Sequence, residues 1–163
     1  MNTSIRKAYP ADAQAICDIY NPYVRDSIIT FEQDPVTPPD MGGRIRAISA
    51  DYPWLVAEAD RAVAAYAYAS RWRSRAAYDR TVESTIYVRS DAMRSGVGYS
   101  LYVALLEELR RRDIHAVVGC IALPNPASVA FHEKCGFTKR AHFPEVGRKF
   151  GNWVDVGFWQ VTL

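Results

Sequence analysis

The run Arg94-Ser95-Gly96-Val97-Gly98 stands between a β-branched segment and an amphipathic one. Backbone N–H groups at the start of a helix have no intrahelical acceptor. With glycines letting the chain approach closely, they can cradle a phosphate, helped by the helix dipole. By itself the run reads equally as a glycine turn between strand and helix. It is not a dinucleotide fingerprint, because Leu101 occupies the place of the third glycine. No GKS or GKT is present to make a Walker A loop. Cys17, Cys120 and Cys135 are widely spaced, odd in number and set among apolar residues. That spacing offers neither a disulfide framework nor a metal pair, so each is expected to be a small core residue in a reducing compartment.

Elements that would position this chemistry follow from hydrophobic periodicity. Ser4 to Ala8 is β-like, and Pro10 and Asp12 open a helix carrying Ile16, Ile19, Tyr20 and Tyr23. Residues 27–40 are irregular and form a candidate substrate-side loop with Phe31 and Glu32, and Thr37-Pro38 starts a second helix through Met41, Ile45 and Ile48. Trp54–Ala59 and Ala62–Ala69 read as a hairpin turning at Asp60-Arg61. Thr81 to Val88 is the most strand-like run, with Glu83 inside it. Leu101, Tyr102, Leu105, Leu106 and Leu109 mark a helix ending in Arg110-Arg111-Arg112, where cations suit the dipole. Ile114 to Leu123 is an apolar strand, Pro126 to Cys135 a short helix stopped by Gly136, and the tail two strands around a loop containing Gly147 and Gly151. The order predicts an α/β domain, a mixed central β-sheet with helices on both faces, formed by residues 1–163 as a single domain.

Asn125-Pro126-Ala127-Ser128 with Phe131-His132 and Cys135-Gly136-Phe137 resembles the Asn-x-x-Ala/Ser-x-x-x-Tyr/His-x-x-x-Gly-Phe pattern of GNAT N-acetyltransferases. It lies one strand after the glycine loop, as in that family. The loop itself resembles the family's Gln/Arg-x-x-Gly-x-Gly/Ala, except that Met93 stands where Gln or Arg is usual. The segments Tyr52–Glu58, Thr81–Val88 and Asn152–Gln160 are similar to those of the phosphinothricin and methionine sulfoximine or sulfone acetyltransferases.

The resemblance implies acetyl-CoA as co-substrate, the α-amino group of a small amino acid or analogue as acceptor, and a homodimer. It implies that Ile86, Tyr87, Val88 and Asn125 meet the pantetheine arm, with the Val88 N–H available to an oxyanion. Arg94, Ser95, Gly96, Val97, Gly98 and Tyr99 would hold the pyrophosphate. Glu83 falls where the family has a general base, and His132 where a group protonates the departing thiolate. Phe31, Arg73, Arg75, Tyr78 and Glu83 would meet the acceptor, the guanidinium fork suiting a carboxylate. The alternatives are a Glu83 ion-paired to a neighbouring Arg, a His132 that only caps or orients, and loop arginines that are merely solvated. A different amine as acceptor, or a CoA-binding module without catalysis, also remains open.

Of 163 residues, 49% are hydrophobic and 23% charged, and the net charge is +2. That balance describes a folded globular chain without a strong field for nucleic acid or membrane. The expectation is a cytoplasmic protein with no metal.

Overall fold

A computed structural model describes residues 3–163. The chain runs β1 (Thr3–Lys7), α1 (Ala13–Asp26), α2 (Pro38–Ser49), β2 (Trp54–Ala59), β3 (Ala62–Arg71), β4 (Thr81–Val88), α3 (Val97–Arg111), β5 (Ala116–Leu123), α4 (Pro126–Lys134), β6 (Thr138–Lys149) and β7 (Asn152–Thr162). The strands form one sheet in the order β1-β2-β3-β4-β5-β7-β6. All neighbouring pairs are antiparallel except β4–β5, which is parallel. The mixed sheet with helices on both faces is therefore as expected.

The alternation Ala65-Tyr66-Ala67-Tyr68-Ala69 in β3 explains how two layers of helix fit around one strand. The alanines lie in the core beneath α3, where small side chains let helix and sheet approach. Tyr66 and Tyr68 turn to the opposite core, where α1 and α2 supply Ile16, Tyr20 and Ile45. Asp60 and Arg61 both take positive φ, 51° and 69°, the backbone that a two-residue hairpin requires.

Two expectations fail. Gly147 is not in the terminal loop but buried within β6, at a register irregularity against β7, and only Phe150-Gly151 make the turn. Its ideal Cβ would run into the ring of Phe31, so this glycine makes room for an aromatic residue rather than for a bend. Cys120 is not core but exposed. It lies on the face of β5 away from α3, whose side Val117 and Ile121 occupy, and α1 and α2 cover β2 to β4 rather than β5. Among the described residues, no helix is long and apolar enough to cross a membrane.

Candidate active site

The two central strands separate partway along their length. β4 and β5 pair only from Thr81↔Ala116 to Ser84↔Gly119, after which Thr85–Val88 and Cys120–Leu123 diverge. On the other side β4 stays paired with β3 up to Ala65↔Val88. The Arg89 N–H bonds to Ala64 O, so by strand alternation the backbone groups of Ile86 and Val88 point away from β3, into the opening. The Val88 carbonyl accepts a hydrogen bond from Tyr23 Oη at 2.6 Å, which ties α1 to this strand end.

Two adjoining cavities, of about 300 and 500 Å³, occupy the gap and share Ile86, Tyr87, Asn125 and Ser128. Together they make one groove through the sheet. Its larger end is the start of α3. Gly96 takes φ 89°, a conformation that other residues rarely adopt, and so aims the first N–H groups of α3 outward. Gly98 serves packing: a Cβ there would lie 2.9 Å from Val88 Cγ2, so its absence lets α3 begin against β4. Arg94, Gly96, Gly98 and Tyr99 line this end with Lys134, whose Nζ stands 4.9 Å from the Tyr99 ring centre. Ser95 and Val97 are occupied locally: Ser95 Oγ donates to Ala92 O, and Val97 N–H donates to Ser95 Oγ. Helix dipole, free N–H groups and two cations fit a pyrophosphate, and the open β4 edge beyond fits an amide-bearing arm. The donor set thus suits acetyl-CoA. Asn125, at the junction, caps α4 by accepting from the Ser128 N–H at 3.1 Å.

At the narrower end Glu83 and His132 arrive from opposite faces of the sheet. Val82 lies in the core under α3, and Ser84 Oγ bonds Tyr102 Oη of α3 at 2.7 Å, so Glu83 between them points to the other face. No ion pair involves Glu83 among the described residues, which removes the arginine-paired alternative. Burial raises its carboxyl above the ordinary 4.5, and the neighbouring Cys120 thiol tempers the rise.

His132 is 5% exposed and its ring lies against Gly119, where any Cβ would be 2.9 Å from Nε2. Nδ1 is 2.8 Å from the Ser128 carbonyl, so the neutral ring keeps its hydrogen there and presents a lone pair at Nε2. Burial lowers its pKa below 6.5, which keeps it neutral at pH 7.

The irregular stretch after α1 is held in place. Lys149 Nζ donates to Thr30 O at 2.7 Å, Tyr20 Oη meets Thr30 Oγ1 at 2.6 Å, and Glu32 joins Tyr20 to Arg44. Phe31 is thereby fixed as a wall of the groove. Arg73, Arg75 and Tyr78 are different: they are exposed on the β3–β4 connection and do not line it. Arg73 is linked to it indirectly, through Trp72 at 5.2 Å and Trp72's edge contact with the lining residue Phe158. Sequence reasoning missed Lys134, Tyr23 and Cys120. Lys134 stood inside the quoted motif, but only its turn of helix shows that it faces the groove. Among the described residues no cluster of His, Cys, Asp or Glu could hold a metal ion.

Comparison with known proteins agrees with this geometry. The chain is 45% identical to phosphinothricin N-acetyltransferase of Streptomyces viridochromogenes over 156 residues, covering 96% of this chain and 85% of that one. It is 37% identical over 168 residues to the L-methionine sulfoximine/L-methionine sulfone acetyltransferase of Pseudomonas paraeruginosa, covering 100% and 96%. The crystal structure of a phosphinothricin acetyltransferase from Sinorhizobium meliloti in complex with AcCoA superposes with a TM-score of 0.95 at 33% identity, covering 100% and 89%. The model of the acetyltransferase (GNAT) domain matches residues 5–157, and the chain belongs to the GNAT acetyltransferase family.

Proposed function

We propose that this acetyltransferase moves the acetyl group of acetyl-CoA onto the α-amino group of a small, anionic amino acid or analogue of the phosphinothricin or methionine sulfoximine kind. The observation that carries the acceptor class is the charge at the narrower end of the groove, where Glu83 is the one acidic lining residue. A polyamine or aminoglycoside would need several carboxylates there. Arg73 and Arg75 stand near by on the loop entering β4, with no ion-pair partner among the described residues. They are free to receive a carboxylate and a phosphinate or sulfoximine oxygen. Tyr78 joins them on that loop.

Acetyl-CoA supplies an already activated acyl group, so the protein's task is alignment and proton handling. Glu83 takes the proton that keeps the acceptor's ammonium from attacking. The Val88 N–H, aimed into the gap, is placed to steady a developing oxyanion. His132 rests with a lone pair on Nε2, so it must accept the second proton that the nitrogen sheds before it can give one to the departing sulfur. One domain carries the whole reaction. The three free cysteines suit a reducing cytoplasm.

The subunit is proposed to act as a homodimer. Phe143, Val146, Phe150 and Trp153 on the β6–β7 hairpin are all about half exposed or more, an apolar surface that a second copy would cover.

The test is thiol release from acetyl-CoA with a panel of amines. Phosphinothricin, methionine sulfoximine and methionine sulfone should react, and spermidine and amines without a carboxylate should not. Arg75→Ala should raise KM for the acceptor several times more than KM for acetyl-CoA, with Arg73→Ala behaving similarly. Rapid turnover of polyamines with none of the amino acids would overturn the acceptor assignment.

A further inference from the structure

Cys120 is a lining side chain that the mechanism leaves unused, and it stands beside the group on which the mechanism depends most. Glu83 and Val118 are register partners in the parallel pair, so Cys120, two residues beyond Val118, lies on the same face just past the last rung. Both Glu83 and Cys120 line the narrower end of the groove. The thiol is exposed there rather than packed in the core. It is the side chain beside the Glu83 carboxylate at this end of the groove, and its nearness tempers the rise that burial imposes on that carboxyl.

We propose that Cys120 is a positioning residue, which donates its thiol hydrogen to the Glu83 carboxylate and holds that base ionised and aimed at the acceptor nitrogen. The inference rests on the reading of Glu83 as the general base. The groups facing Glu83 are Cys120 from β5, Tyr68 from β3, which feels its charge, and the neutral His132 from α4 across the gap. None of the three is a cation, so the thiol is the donor that offsets the burial of the carboxylate. The same contact acts on the thiol. Although the residue is open to solvent, desolvation by the groove walls and the neighbouring negative charge of Glu83 push the Cys120 pKa up, which keeps the sulfur protonated. It is therefore a donor and not a nucleophile competing for the thioester.

The test compares Cys120→Ala, Cys120→Ser and Glu83→Gln with the parent enzyme, reading kcat/KM for the acceptor across pH. Losing the thiol removes a bond that favours the ionised carboxylate, so the acidic limb of Cys120→Ala should move to higher pH. Because S–H is a weak donor, the loss should be about 3- to 10-fold near pH 6 and should disappear on the alkaline plateau. Cys120→Ser, whose hydroxyl can donate, should return the limb toward its original place. A merely structural cysteine would shift neither limb. A second reading needs no turnover: alkylation of Cys120 by iodoacetamide, followed by mass spectrometry of its peptide. It should be faster in Glu83→Gln, where no carboxylate retains the thiol's hydrogen. An unmoved limb in folded Cys120→Ala, with turnover lost in Glu83→Gln, overturns the role of Cys120 and leaves the base standing. Full turnover in Glu83→Gln overturns the base and the positioning role together.

Discussion

Glu83 is a carboxylate that the fold burdens and the reaction uses. Burial raises its pKa, so the folded protein binds this proton more tightly than the unfolded chain does. The sign follows by linkage: its contribution to stability is fullest below the ordinary value of 4.5 and is lost as pH rises through the folded pKa. Glu83→Gln, neutral and of the same shape, should therefore melt higher than the parent at pH 8, by scanning calorimetry, while the difference vanishes near pH 4. Turnover at pH 7 should fall by ~100- to 10,000-fold, the usual scale for a general base, and partly recover at high pH as free amine becomes available. An ion-paired structural carboxylate would give a less stable variant instead. The sequence brought Glu83 and His132 into view only through the resemblance, since nothing in Thr81–Val88 says which of its side chains meets a groove. Cys120 was illegible for a related reason. A strand apolar on every residue, such as Ala116–Leu123, does not reveal which face lacks a helix.

At the scale of elements, two glycines set where functional rings stand, and neither was assigned that role from the sequence. Gly119→Ala would bring a methyl to within 2.9 Å of the His132 imidazole, which must turn away from the groove. The expected result is a fall in kcat of about 10- to 100-fold, at or below the low end of the usual acid–base contribution because the ring is displaced rather than removed, with KM for acetyl-CoA nearly unchanged. Gly147→Ala would act at the acceptor wall by displacing Phe31, raising acceptor KM in the same steady-state assay. The starts of α2 and α4 were legible, since Thr37-Pro38 and Pro126 mark them in the sequence, and the structure adds side-chain caps from Thr37 and Asn125. The loop arginines were legible only as chemistry. Their distance from the groove wall depends on how Ala76–Tyr78 coils into a 3-10 turn, which no periodicity announces.

For the whole molecule, the exposed aromatics of the β6–β7 hairpin make the quaternary state measurable. β6 is a twelve-residue edge strand, mostly exposed, and edges of that length are normally covered or blunted. Trp153 and Phe150 are 61% and 58% exposed. Trp153→Asp combined with Phe150→Asp should convert a dimer to a monomer by light scattering while leaving the acetyl-CoA-induced rise in melting temperature intact. A dimer unaffected by both changes would place the contact elsewhere. The separation of β4 from β5 also has a mechanical meaning. Only four rungs, Thr81–Ser84 with Ala116–Gly119, stitch the first four strands to the last three. A tear starting at the mouth of the groove would meet little resistance from the sheet itself. Helix α3 packs on β2, β3 and β4, on one side of the seam, and its leucines belong to the same apolar core as Val117 and Ile121 of β5 on the other. That continuous core works as a splint, and the protein can keep a slot open through its own middle because side-chain packing carries the strain the missing rungs would have shared.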